Sequence, residues 1–238
     1  MTGRTVTITV SGSAQRQYSP NRCTVHLGFH ADGADRQIAA DQVTSAAVTV
    51  TDVVTTLVDR PDSPVSRWTL DQVRHNRSRP YHREGKKRPW TYQSSASATV
   101  TFKDFSVLGS FIDEVAELEA VTVGHLHWWL TRKVRAKKTA HVRDQAVRDA
   151  LAKAQGYTQG LGYTELHAIA IADPGMLGLS TGGRPYAEAP AGVPGMARRM
   201  SAMPAGDEEA PMIELTPDRI TVSAQVEARF EAIQTGDS

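Results

Sequence analysis

The chain has 238 residues, of which 40% are hydrophobic and 22% are charged, so it can bury a core of ordinary size. This composition excludes a chain that is disordered throughout. No apolar run approaches the roughly 18 residues that a membrane-spanning helix needs, so none is predicted. The single cysteine, Cys23, lies on the apolar side of a predicted strand, where we expect a small buried side chain.

The net charge is only +1, but the basic residues are concentrated in two segments. Residues 74–88 contain seven lysines and arginines against one acid, and residues 132–138 contain five more. The two segments together carry +11, so the remainder of the chain carries −10. Such a polarised charge distribution favours contact with an anionic partner or with the acidic part of another subunit.

The N-terminal end of the chain alternates between apolar and polar residues. Val6, Ile8 and Val10 predict a strand over about residues 4–11. An export signal needs a continuous apolar block, and no such block is present here. We therefore expect a soluble, cytoplasmic protein without an export signal.

A similar phrase of seven residues occurs near each end of the chain, SPNRCTV at residues 19–25 and TPDRITV at residues 216–222. Proline suits the entrance of a strand because its φ is fixed and it lacks an N–H donor. Alternating apolar and polar residues follow each copy, which predicts two strands that each bury one face. The early one, over about residues 21–30, comes soon after the first strand, so a hairpin of these two strands is predicted.

Three helices are predicted from apolar stripes at helical spacing. The first covers residues 35–57, the second follows Asp104 as its N-terminal cap, and the third covers about residues 136–161. The predicted stripes are Val43, Ala47, Val50, Val54 and Leu57, then Leu108, Phe111, Ile112 and Val115, then Val147, Ala150, Leu151, Ala154 and Leu161. Two i, i+4 ion pairs support the third helix: Asp144 with Arg148, and Asp149 with Lys153.

Further strands are predicted around these helices. A long hairpin should have residues 65–73 and residues 90–102 as its arms and the basic stretch, residues 74–90, as its tip. Single strands are predicted over residues 123–130 and 165–172, and the final strand begins at Ile220.

Residues 173–214 contain seven glycines, six prolines and five methionines without sustained periodicity, which predicts a long loop excursion and not a domain. Methionine side chains adapt to irregular apolar surfaces, so Met196, Met200 and Met203 are candidate subunit contacts. The alternative is that the excursion is disordered in an isolated monomer.

Several segments taken together resemble the SIMPL-domain family. They are Val10 to Ser13, Ser19 to Gly28, the strand from Ser94 to Phe102 with the acidic helix start after it, the alanine-rich third helix, and Leu215 to Ala224. Their order and spacing match from end to end. The resemblance implies an α+β fold, with mostly antiparallel sheets of about seven strands flanked by three helices, as a single domain over residues 1–238.

The resemblance also implies a bacterial protein that forms a large ring- or barrel-like homo-oligomer. Members of the family are linked to envelope and oxidative-stress phenotypes, which makes a role of that kind an expectation for this chain. The family has no established catalytic residues to carry over. The chain differs from the family in its basic hairpin, which is more basic than usual.

Two patterns in the sequence could indicate catalysis or metal binding. The segment Gly178 to Gly182 spells G-x-S-x-G around Ser180, but a glycine, an arginine and a proline follow it instead of the helix that a nucleophile elbow needs. His125 and His127 share one face of a predicted strand, together with Val123 and Trp129, and His167 lies on another strand. Three imidazoles could bind a metal ion; packed, hydrogen-bonded histidines are the competing interpretation.

The basic hairpin is the strongest candidate for a binding site. Its cations and aromatic residues could follow a phosphate backbone and stack on bases, or they could keep a strand edge soluble or pair with an acidic neighbouring subunit. The candidate residues for an anionic partner or nucleic acid are Arg74, Arg77, Arg79, Arg83, Lys86, Lys87, Arg88, Tyr81 and Trp90.

The sequence thus predicts a non-enzymatic oligomeric scaffold or binding protein, without a cofactor. The alternatives are a nucleic-acid or anionic-partner binding module that uses residues 74–88, and a metal-binding protein that uses His125 and His127.

Overall fold

The computed structural model describes residues 4–79, 89–178 and 215–234. These residues form three helices and eight strands in two antiparallel sheets, which confirms the predicted α+β class. The elements in chain order are β1 (Arg4–Tyr18), β2 (Arg22–Gly33), α1 (Arg36–Val58), β3 (Val65–Leu70), β4 (Arg74–Ser78), β5 (Thr91–Phe102), α2 (Leu108–Ala116), β6 (Val121–Trp129), α3 (Arg132–Gly160), β7 (Glu165–Ala172) and β8 (Ile220–Gln234).

The elements group into two compact units, each with its own sheet and core. The terminal unit contains β1, α3, β7 and β8. The central unit contains β2 to β6 with α1 and α2. A single SIMPL-like domain over residues 1–238 stays a prediction.

The central unit packs both of its helices on one face of its sheet. The strand order is β3-β5-β2-β6, and β4 also pairs with β5. Asp35 caps α1 as its Oδ1 accepts hydrogen bonds from the N–H groups of Gln37 and Ile38, at 2.7 and 3.3 Å. The buried face of α1 includes the whole predicted stripe, which packs with the apolar sides of β2 and β5 into one core.

The start of α2 differs from the prediction. The helix is capped at Val107 without a side-chain hydrogen bond. Asp104 instead accepts hydrogen bonds from the N–H and the hydroxyl of Ser106, at 3.0 and 2.9 Å. The carboxylate therefore stabilises a turn before the helix, because it bonds two residues ahead and not to the helix N–H groups.

The terminal unit has a three-stranded sheet in the order β1-β8-β7. Its core includes the alanine face of α3, formed by Ala146, Ala150 and Ala154. A Cβ atom on Gly12 of β1 would lie 2.0 Å from the carbonyl oxygen of Ala146. Strand and helix therefore approach so closely that only glycine fits at this point.

The predicted stripe of α3 was wrong in part. The buried residues are Val142, Ala146, Ala150, Ala154 and Thr158, whereas Leu151 and Leu161 are 40% and 59% exposed. Small side chains form the buried face because β1 approaches the helix so closely. The two predicted ion pairs are confirmed, with N···O distances of 3.1 Å for Asp144–Arg148 and 2.7 Å for Asp149–Lys153.

The predicted hairpin of the first two strands was also wrong. β1 pairs with β8, the last strand of the chain, while β2 lies between β5 and β6 in the other sheet. One-sided burial of β2 is confirmed. The predicted hairpin arms, residues 65–73 and 90–102, contain β3 and β5, which pair antiparallel. Residues 74–78, predicted as part of the tip, instead form the strand β4, which also pairs with β5.

One polar residue of β8 departs from the simple alternation. Glu227, predicted on the polar face, is only 9% exposed. Its carboxylate accepts hydrogen bonds from the N–H groups of Gly175 and Leu177, at 2.8 and 3.2 Å. Arg229 donates to the carbonyl oxygen of Leu177 at 3.0 Å. These contacts hold residues 175–177 against β8.

None of the helices formed by residues 4–79, 89–178 and 215–234 is long and apolar enough to cross a membrane.

Candidate functional site

The described part of the basic hairpin is an exposed ladder of two strands. All five residues of β4 are exposed, and they pair antiparallel with Thr91 to Ser95 of β5. The register places Arg77 directly opposite Tyr92. The cationic side chains of β4 are therefore accessible to a partner, which is what an anion-binding surface requires.

Two arginines of the hairpin contact the same tryptophan. The guanidinium carbon of Arg77 lies 4.7 Å from the ring centroid of Trp90, and that of Arg79 lies 4.2 Å from it. Electrostatic attraction between a guanidinium and an aromatic face holds the cations in place. Since these arginines contact the Trp90 ring, a nucleobase would have to compete with them to stack there.

The other predicted residues of the hairpin are placed differently. Arg74 lines a separate small cleft together with Asp71 and Ser97, not the Trp90 cluster. Asp71 itself accepts a hydrogen bond from the Ser97 hydroxyl at 2.6 Å. Several predicted residues lie outside the described residues: Tyr81, Arg83, Lys86, Lys87, Arg88, Ser180, Met196, Met200 and Met203.

A second cleft of about 420 Å³ lies beside Arg77. It is lined by Arg36, His75, Asn76, Arg77 and Tyr92. Sequence reasoning missed Arg36, His75 and Asn76, because Arg36 comes close to the other two only through the pairing of the strands. The signal that could have found them was the hairpin register, which follows from the two predicted arms.

The predicted histidine pair lies in an irregular part of β6. Val25 and Leu27 of β2 pair with Leu126 and Val123, so Gly124 and His125 together oppose the single residue His26. This β-bulge reverses the alternation. Val123 therefore packs against the core instead of sharing the face of the histidines, which corrects the predicted face.

Two imidazoles of the central unit are in contact, but they are not the pair expected from the sequence. His26 stacks on His125 with ring centroids 4.4 Å apart and an interplanar angle of 18°. The nitrogen lone pairs of two stacked rings lie in nearly parallel planes, so they do not point toward one shared metal ion. His167, in the terminal unit, lies with its Nε2 3.3 Å from a carboxylate oxygen of Glu165. Among the described residues, no group of three or more His, Cys, Asp or Glu side chains could hold a metal ion.

The family of the chain follows from a comparison with family models. The SIMPL model, described as "Protein of unknown function (DUF541)", matches residues 8–230. The chain belongs to the SIMPL family. The match covers both units and both copies of the repeated phrase. No curated protein matches the chain. The function of the family is unknown, so SIMPL membership does not by itself give any of these residues a role.

The only cysteine of this SIMPL protein is fully buried. Burial raises the pKa of the Cys23 thiol to about 11. The thiol is therefore protonated at neutral pH and packs as a small apolar group. Since the thiolate is the nucleophilic form of cysteine, Cys23 is a poor nucleophile in the folded chain.

We predict an unusual titration for His26 of the SIMPL chain. Its pKa is lowered from the ordinary value of 6.5 by burial first, and then by the charges of His125 and His127. The unfolded chain then binds more protons than the folded chain, so stability should fall as the pH drops below about 7. Titration of the imidazole signals by NMR should give a midpoint below 6.5 for His26.

A matched variant tests the same prediction by a second measurement. In His26→Gln, the free energy of unfolding should fall less steeply as the pH drops below about 7 than it does in the unmodified protein. Urea unfolding at several pH values measures this difference. A midpoint at or above 6.5 for His26 would contradict the prediction.

Proposed function

We propose that this SIMPL protein is a non-enzymatic scaffold that self-associates through the exposed edge of the terminal unit. The observation that supports the proposal most directly is that β7 is an edge strand with exposed apolar side chains. This strand is at the edge of the order β1-β8-β7, and its Ile169 and Ile171 side chains are 54% and 55% exposed. An exposed edge strand presents unpaired N–H and C=O groups to another chain.

The second half of β7 lacks two of the usual protections of an edge strand, a charge and a proline, although its pairing with β8 is irregular between Ala168 and Ala170. Residues 168–172 read Ala-Ile-Ala-Ile-Ala, without a charge or a proline that would prevent pairing with another strand. Two further large apolar side chains at the end of α3, Tyr157 and Leu161, are 58% and 59% exposed. Exposed apolar surface of this kind favours a protein contact.

The mass of the purified full-length protein tests the scaffold. We expect a discrete mass well above 25.9 kDa by light scattering at both low and high salt, because an apolar contact is little affected by ions. Ile171→Lys should weaken the association about tenfold or more. Ile38→Lys is the matched control, since Ile38 is 59% exposed on α1. A monomer at all concentrations would refute the proposal.

A second candidate function is supported by a different observation. The Arg77 and Arg79 contacts with Trp90 hold two cations in place beside an exposed strand, as binding of an anionic partner or nucleic acid requires. Binding of this kind should weaken steeply as salt rises, whereas self-association through β7 should persist. Salt dependence therefore separates the two functions.

A further inference from the structure

We propose that the cleft between the start of α1 and the hairpin β4–β5 binds the phosphate group of a small phosphorylated ligand. We name it the phosphate cleft, and its lining residues are Arg36, His75, Asn76, Arg77 and Tyr92. This inference deepens the second candidate function and rests on it through Arg77. The volume of about 420 Å³ lies within the range of small-molecule sites.

Strand pairing brings three elements together at Tyr92. On one side, Tyr92 of β5 pairs with Arg77 of β4. On the other side, it pairs with Gly33, the last residue of β2. Asp35 caps α1 two residues later and thereby fixes Arg36 as the first residue of the helix. The cleft is therefore built from backbone that pairing and capping hold in place.

The side chains that line the cleft can bind a phosphate group but are unsuitable for a metal cation, because two of them are positively charged. Arg36 and Arg77 supply guanidinium forks, which match phosphate oxygens with two parallel N–H donors. Asn76 and Tyr92 add an amide and a phenol, which can both donate hydrogen bonds. Among the residues that the structure describes, no acidic one lines the cleft. Its chemistry is therefore that of donors and positive charge.

The orientation of His75 is also fixed. Its Nδ1 lies 3.0 Å from the hydroxyl oxygen of Ser94, a residue that is 2% exposed. A buried partner of this kind holds the imidazole in one rotamer and leaves the second ring nitrogen for a ligand. The side chain thus has a defined position at the wall of the cleft.

The two acidic side chains that come just before Arg36 in the chain have other partners. The Asp35 carboxylate accepts the two N–H groups at the start of α1. Asp32 lies 3.6 Å from the Nε2 of His30. Neither Arg36 nor Arg77 forms an ion pair with a carboxylate among the residues that the structure describes. Their positive charge is thus available to an incoming anion.

The experiment measures binding of three probes to the full-length chain by calorimetry or NMR: inorganic phosphate, adenosine 5′-monophosphate and a single-stranded oligonucleotide. Arg36→Gln should weaken adenosine 5′-monophosphate about tenfold or more, because charged hydrogen bonds are lost. Arg60→Gln is the matched control, since Arg60 is an exposed arginine just beyond the other end of α1. It should leave binding unchanged.

The probes distinguish the source of the phosphate. Tighter binding of adenosine 5′-monophosphate than of inorganic phosphate supports a small phosphorylated ligand, and equal binding supports free phosphate in the same cleft. Failure of both small probes, or binding that does not depend on Arg36, would overturn the proposal.

Arg79→Gln separates the cleft from the second candidate function. Arg79 contacts Trp90 but does not line the cleft. If oligonucleotide binding depends on Arg79 and neither small probe depends on Arg36, the phosphate cleft is refuted and the second candidate still stands. Dependence of the small probes on Arg36 alone would support the cleft even if the oligonucleotide does not bind.

Discussion

Gly12→Ala is expected to destabilise the terminal unit by about 3 kcal/mol or more, at the upper end of the range for overpacked cores. A Cβ at this position would lie 2.0 Å from the carbonyl oxygen of Ala146 and 2.7 Å from the backbone nitrogen and the Cβ of Ala150. These are atoms of a helix backbone and its first side-chain atom, so no flexible group can move aside. Urea unfolding followed by circular dichroism measures the effect.

Gly156→Ala is the matched control for this change. Gly156 lies in α3 of the same unit, and nothing lies within 4 Å of the position that its Cβ would take. Alanine there should stabilise the protein by about 0.5 to 1 kcal/mol, because glycine is a poor helix residue. If both variants unfold at the same urea concentration, the close approach of β1 to α3 is wrong.

Phe102→Ala is expected to cost about 3 to 5 kcal/mol in the free energy of unfolding of the central unit. The ring is fully buried and lies 5.1 Å from that of Phe111, at an angle of 53°. Its backbone pairs with Cys23 on one side and Val65 on the other, so the surrounding strands have little freedom to fill the cavity.

An exposed position on a helix of the same unit supplies the comparison for Phe102. Val48 of α1 is 55% exposed, so Val48→Ala should change the free energy of unfolding by no more than about 0.5 kcal/mol. Equal losses for the two variants, measured by urea unfolding, would show that Phe102 is not a core residue.

Elements defined by local patterns could be predicted from the sequence. The first helix begins at the predicted cap, Asp35, and buries the predicted stripe, because capping and helical spacing involve neighbours in the chain. The predicted arms of the hairpin, residues 65–73 and 90–102, are equally local and contain β3 and β5, whereas β4 lies within the predicted tip. The basic charge of the hairpin was visible for the same reason.

The partners of the strands could not be predicted in the same way. β1 and β2 both bury one face, and nothing in that pattern shows that β1 pairs with β8, about 200 residues away. The stripe of α3 depends on the same fact. Its leucines suggested a buried face, but the residues of α3 that lie against Gly12 are Ala146 and Ala150.

The candidate site shows the same division. Arg77 and Trp90 were predicted as binding residues, but their direct contact and the shared role of Arg79 required coordinates. Arg36 joins Arg77 only because Gly33 and Arg77 pair with Tyr92 from opposite sides. The basic residues of a site can therefore be recognised in the sequence, whereas the strand pairing that brings them together requires the structure.

The bulge in β6 determines where this strand could lose one residue without changing its buried face. Val123, Leu126 and Trp128 all pack against the core, so the strand has one residue more than regular alternation needs. One of the two bulge residues is Gly124, whose Cβ position would lie 3.0 Å from the carbonyl oxygen of His26. A deletion of Gly124 would restore a regular strand with every remaining side chain on its present face, whereas a deletion outside the bulge would move part of β6 to the opposite face. Relatives that are one residue shorter in this strand are thus expected to lack this glycine.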